Sequence, residues 1–132
     1  MATTTTAIKN LKPGSYIVID GEACKVISMT KSKPGKHGSA KVRLEAVGLF
    51  DGKKRILLKP ADSPAEVPII DKKKAQVISI SGNIVQLMDL ESYETFETSI
   101  PEEFKSRLTP GSEGAEVVYW KFERNILIKE VR

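Results

Sequence analysis

Between residues 39 and 47 the chain alternates without a break: Ala40, Val42, Leu44 and Ala46 are apolar, while Lys41, Arg43 and Glu45 are charged. A period of two sends successive side chains to opposite faces of an extended strand, so this segment buries one face and exposes a basic one. Strand-like runs recur along nearly the whole chain, at residues 16–20, 23–29, 55–59, 75–80, 84–88, 93–98, 115–122 and 126–131. Short turn signals separate several of them: Asp20-Gly21, FDGKK, Gly82-Asn83 and residues 123–125. The fold class this predicts is all-β.

One segment changes period. In SIPEEFKSRLTPG, Pro101 suits a first helical turn, Glu102 and Glu103 its positive end, Lys105 and Arg107 its negative end, and Pro110-Gly111 a stop. Three strands, one short helix and two strands is the order of an OB-fold barrel, expected over residues 72–132. Residues 1–71 show strands without a helix and are expected to form a small SH3-like barrel. Pro60, Pro64 and Pro68 are expected to break regular structure before the junction near residues 67–71, and the threonine-rich start is expected to fray.

Charge is unevenly spread. Residues 1–71 hold twelve basic against seven acidic side chains, a net +5, and residues 72–132 hold nine against ten, a net −1. The basic excess gathers at Lys31, Lys33, Lys36, Lys41 and Arg43, one loop and the strand leaving it. Cys24 is the only cysteine, which excludes an internal disulfide and a thiolate metal cluster and points to a reducing compartment. With no signal-like leader and no long apolar run, a cytoplasmic protein without a membrane partner is expected.

The loop itself reads KSKPGKHGSAK. Pro34 fixes one φ angle, and Gly35 and Gly38 permit positive φ, so the segment suits a tight turn with Lys36 at its tip. A P-loop is excluded, because the spacing from Gly35 places Ala40, Lys41 and Val42 where Gly, Lys and Ser or Thr are needed, and a strand follows instead of a helix. Lys36 and His37 as nucleophile and base lack the burial that would lower a lysine pKa. His37 has no second histidine with which to hold a metal. Cys24 lies in an apolar strand and is expected in the core. Among Tyr93, Phe96, Tyr119, Trp120 and Phe122, barrel core is expected for most, since the acidic side chains around them oppose phosphate. A solvated patch is the ordinary meaning of clustered lysines, but such a patch has no need of Pro34, Gly35 and Gly38 to fix its shape. The loop is built to present one side chain.

SKPGKHGSAK resembles the modification loop of the translation initiation factor 5A family, relatives of bacterial elongation factor P, in which Gly-Lys-His-Gly joins two strands of an SH3-like barrel. The VPII segment at the junction, the OB-type second half and the total length extend the likeness along the chain. Pro34, Ser39 and the short second domain resemble the archaeal form. The resemblance implies that Lys36 receives the aminobutyl group of spermidine from deoxyhypusine synthase, ending as deoxyhypusine or hypusine, with Pro34, Gly35, His37 and Gly38 as loop support. It implies a monomeric, non-enzymatic factor without cofactor or metal, whose partners are the ribosome and peptidyl-tRNA. Lys31, Lys33, Lys41 and Arg43 are then candidate RNA phosphate contacts. An RNA-binding protein or RNA chaperone using the OB domain is the alternative. An RNA-cleaving enzyme using His37 would need a second acid or base that the sequence does not identify.

Overall fold

The structure, a computed structural model, describes residues 3–32 and 40–132. The chain divides into two compact units, Met1–Ile69 and Ile70–Arg132. Each has its own hydrophobic core, and the two cores share no residue.

In the first unit, strands β2 (Tyr16–Ile19), β3 (Glu22–Ser32), β4 (Lys41–Gly48) and β5 (Lys54–Pro60) pair in that order as an antiparallel meander. Asp20 and Gly21 join β2 to β3 with φ of 52° and 78°. Two positive φ values in succession match the twist of the flanking strands, and an Asp-Gly pair adopts them at little strain. The alternation read in β4 holds: Val42, Leu44 and Ala46 are fully buried, and they meet Ile8, Ile17, Cys24 and Val26 in one small barrel core. β3 carries one extra residue, Ile27, between Val26 opposite Ala46 and Ser28 opposite Glu45. Such a bulge bends and twists the strand, which helps a four-stranded sheet curl into a half-barrel.

The threonine run, expected to fray, is a paired strand from Thr3 onward. β1 (Thr3–Ala7) pairs antiparallel with β6 (Pro64–Pro68), so the prolines expected to break regular structure instead bound an edge strand. Pro64 and Pro68 sit at its ends, where a missing N–H costs least, and the threonines opposite favour extended backbone. A short 3-10 turn, Ile8–Asn10, follows β1 and drops Ile8 into the core, so the first half is not free of helical turns.

In the second unit, β7 (Asp71–Ser81), β8 (Ile84–Asp89), β9 (Thr95–Ser99), β10 (Glu116–Phe122) and β11 (Asn125–Val131) form one sheet in the order β11-β10-β7-β8-β9. β9 and β11 approach each other and curl it toward closure as an OB-type barrel. Ala75, Val77, Val85, Leu87, Val117, Tyr119 and Ile128 fill the interior. The expected helix is a single 3-10 turn, Glu102–Phe104, with no side-chain cap on Pro101. Leu108 anchors the segment after it in the core. The third strand starts later than its sequence implies, because Tyr93 takes φ of 63° in the preceding turn.

Candidate functional site

β3 and β4 form a hairpin whose outermost described pairs are Lys31 opposite Val42 and Ser32 opposite Lys41. Lys33, Pro34, Gly35, Lys36, His37 and Gly38, where the tight turn is expected, lie outside the described residues. The strands that flank them belong to a three-stranded base. Lys41 pairs with Pro60 on β5, and the Ala40 carbonyl accepts a hydrogen bond from the Ala61 N–H at 2.8 Å. The chain is therefore tied to a third strand from Ala40 and Lys41 onward.

The register sorts the basic residues by face. Val42 is buried, so Lys41 and Arg43 point outward, together with Thr30 and Ser32 across the ladder. Lys31, opposite Val42, lies on the other face at the open end of the barrel, exposed because β3 extends past the core. Arg43 and Lys41 share a face; Lys31 does not join them. Arg43 also has a partner: its guanidinium donates to Glu45 at 3.0 Å, and Lys54 approaches the same carboxylate at 3.6 Å. The Arg43 hydrogen bond and then the Lys54 charge hold the Glu45 carboxyl below its ordinary range. Among the described residues, Lys41 is the cation of that face nearest in sequence to Lys36.

The far end of β4 is locked by a different device. Arg55 makes two hydrogen bonds to Asp51, at 2.8 and 3.2 Å, and its guanidinium passes 3.9 Å from the buried Cys24 Sγ. The Arg55 hydrogen bond, helped by the Lys53 N–H, lowers the Asp51 pKa to about 2. A Cβ at Gly48 would lie 1.9 Å from Asp51 Oδ1, so any larger residue there would displace the Asp51 carboxylate from Arg55. Burial pushes the Cys24 thiol up, against a smaller opposite pull from Arg55, so it remains a protonated core residue.

Two features of the second unit carry no motif in the sequence. Asp89 is 3% exposed and accepts hydrogen bonds from the Tyr119 hydroxyl and from the Glu91 and Ser92 N–H groups. Burial alone would raise its pKa; the hydrogen bonds outweigh that and hold it at about 2. Trp120 sits with two lysine ammonium groups over its ring, those of Lys72 and Lys129. Of the five aromatics expected mainly in the core, Tyr119 and Phe122 are buried, Phe96 packs against the core with its ring 5.0 Å from that of Tyr119, and Tyr93 is 70% exposed. Among the described residues no group of three or more His, Cys, Asp or Glu is placed to hold a metal, and no helix is long and apolar enough to cross a membrane.

Comparison with known proteins places these features in context. Residues 1–63, which span the lysine turn, match the family model described as translation initiation factor 5A-like, N-terminal. The chain is 55% identical over 123 residues to translation initiation factor 5A of Korarchaeum cryptofilum, covering 92% of this chain and 90% of that one. It is 59% identical over 112 residues to the protein of the same name from Methanothermobacter thermautotrophicus, covering 85% and 84%. Among solved structures, eukaryotic translation initiation factor 5A from Methanococcus jannaschii superposes with a TM-score of 0.87 at 42% identity, covering 99% of this chain and 96% of that one.

Proposed function

This chain belongs to the translation initiation factor 5A family, in its archaeal type, and from that premise we propose that it acts on the ribosome through a modified Lys36. A translation factor role follows from the family itself. In our reading residues 1–71 form the domain that carries the modified lysine and residues 72–132 the OB domain, and the protein works as a cytoplasmic monomer without being an enzyme.

Deoxyhypusine synthase is the proposed modifying partner. One C–N bond of spermidine breaks, one C–N bond to Lys36 Nζ forms, and the diamine remainder leaves with the balancing proton. Five added bonds lengthen the arm by roughly 6 Å at ordinary bond lengths, and the new segment brings a second cationic nitrogen. Pro34, Gly35, His37 and Gly38 shape the turn that presents it. The arm then reaches the acceptor end of peptidyl-tRNA in the peptidyl-transferase centre. Proline is a constrained substrate, and holding the tRNA end in a reactive geometry lowers an entropic barrier without the factor doing chemistry. Proline runs and termination are where this help matters most.

The observation that carries the reading is the base of the hairpin: β3, β4 and β5 are tied together at the point from which the Lys36 turn leaves. Lys31, Lys33, Lys41 and Arg43 are supporting phosphate contacts, Arg43 by exchanging its Glu45 partner. Charge and chemistry are separated by comparing Lys36→Arg with Lys33→Arg and Lys41→Arg. A guanidinium keeps the charge but stays protonated and cannot attack an electrophilic carbon. Native protein should exceed its sequence mass by an aminobutyl group, with or without one oxygen, on the Lys36 peptide. Lys36→Arg should abolish that increment and the stimulation of proline-proline synthesis, while the other two variants keep both. An unmodified native Lys36, or full activity of Lys36→Arg, would overturn the proposal.

A further inference from the structure

The outer face of the first unit's sheet carries aliphatic side chains that its core does not use. On β5, Leu57 packs against the core, so Ile56 and Leu58 on either side of it point outward, 52% and 60% exposed. Ile56 lies opposite Glu45 and Leu58 opposite Arg43, which places both on the outward face of β4. Ile27, the extra residue of β3, is 53% exposed beside Ser28, which stands opposite Glu45 from the other side. Three large aliphatics thus gather about one carboxylate, and Arg43 and Lys54 already hold that carboxylate.

Cations ring them. Lys25 shares this face, since its neighbours Cys24 and Val26 are buried, and Lys41, Arg43 and Lys54 complete the ring. On this face of the described strands β3, β4 and β5, Glu45 is the only acid. Single exposed aliphatics need no explanation, but three on adjoining strands inside a charged ring have the make-up of an interface. A second copy of the same face would set cation against cation. RNA would satisfy the cations and leave the aliphatics unused. Strand addition along β5 is opposed by Lys54, Arg55 and Lys59 and by Pro60 at its end. The surface that fits is a protein patch, apolar at its centre and ringed by carboxylates.

We propose that Ile27, Ile56 and Leu58, with Lys25, Lys41, Arg43 and Lys54 around them, are the docking face read by the enzyme that modifies Lys36, a deoxyhypusine synthase whose facing surface is acidic around an apolar patch. This rests on the modification proposed above. The Lys36 amine is chemically the same as that of every other lysine in the chain, so selection needs contacts beyond it. Arg43 follows Lys36 by seven residues, at most about 25 Å of extended chain. An enzyme engaged at Lys36 therefore has this face within the width of an ordinary interface. Modification precedes action on the ribosome, so Lys41 and Arg43 serve the two partners in turn.

The test measures incorporation of labelled spermidine into the full chain by the synthase of the same organism, supplied as holoenzyme, as chain concentration is varied. The double variant Ile56→Thr, Leu58→Thr keeps β-branched residues on an exposed strand and should fold, as circular dichroism would confirm. Its KM for the chain should rise about ten-fold with kcat unchanged, because the anchors bind the enzyme without touching the reacting amine. Lys25→Glu should raise KM about three-fold at low salt and less at high salt. Ile78→Thr and Ile84→Thr, which remove exposed aliphatics of the second unit, should match the parent. Label in the parent with a parental KM in the double variant would overturn the docking face alone. So would a parental KM joined to weakened ribosome binding, which assigns the face to RNA, or to loss of a self-associated form in sedimentation, which assigns it to a second copy. A fall in kcat without a change in KM would make these residues structural. Absence of label in the parent would remove the Lys36 reading and the docking face with it.

Discussion

Asp89 shows how a single buried residue sets a condition for folding. It is a carboxylate inside a β-barrel, tolerated because the Tyr119 hydroxyl and two turn N–H groups satisfy it. Its folded pKa of about 2 lies below the ordinary 3.8, so the unfolded chain takes up the proton first. The stability this supplies is complete above the unfolded value and is lost as pH falls from there through about 2. A depression of this size is worth about 2 kcal/mol. Burial and the neighbouring carboxylate raise the Tyr119 pKa in turn, so its share of stability is present below the ordinary tyrosine value of 10.0 and fades above it. Tyr119→Phe removes the hydroxyl and leaves a buried carboxylate short of a donor, a loss of about 1–3 kcal/mol. In acid titrations followed by circular dichroism, the variant should unfold at a higher pH than the parent, with its deficit largest near neutrality. A variant with the parental acid midpoint would show that the two turn N–H groups suffice.

At the scale of the element, β1 does more than its sequence advertises. Among the described residues it pairs only with β6, and β6 supplies Ala65 and Val67 to the first core. Removing residues 3–7 should strip β6 of its ladder partner while sparing Ile8, whose N–H is held by the Ser63 carbonyl at 2.9 Å. The melting temperature of the first unit should fall by about 5 °C, with faster amide exchange along β6. Unchanged exchange there would mean that β6 is held by its side chains alone. This pairing joins residues some sixty positions apart, and nothing local in ATTTTA announces it, so the sequence reads as a loose end. The Asp20-Gly21 hairpin was legible because both of its requirements, extended neighbours and positive φ, are local. The clean alternation of β4 was legible for the same reason. The bulges at Ile27, Ile78 and Lys129 were not, since an extra residue is defined only by the partner strand it faces. The approach of Lys129 to the Trp120 ring depends on one of those bulges and was hidden with it. The motif around Lys36 is entirely local, set by Pro34, Gly35 and Gly38, and lies outside the described residues.

At the scale of the whole molecule, the chain contains two small barrels whose cores draw on separate residues, the first from Ile8 to Ala65 and the second from Ala75 to Val131. Units of this size bury little surface relative to their length, so each is close to the margin and has little stability to spare. Leu44 and Leu87 offer a matched probe. Both are fully buried, Leu44 in the first core and Leu87 in the second, and truncation removes the same atoms from each. Leu44→Ala and Leu87→Ala should each cost about 2–5 kcal/mol, the spread reflecting how far the neighbours relax into the cavity. With separate cores the damage should stay local. Leu44→Ala should speed amide exchange at Val26 and Ala46 while Val77 and Ile128 keep their protection, and Leu87→Ala should do the reverse. The functional readout should divide in the same way. Leu44 lies on the strand that follows Lys36 in the chain, so its truncation should slow the proposed addition of the aminobutyl group, whereas Leu87→Ala should leave that proposed reaction at the parental rate. Equal loss of protection in both units from either substitution would show that the two cores stand or fall together.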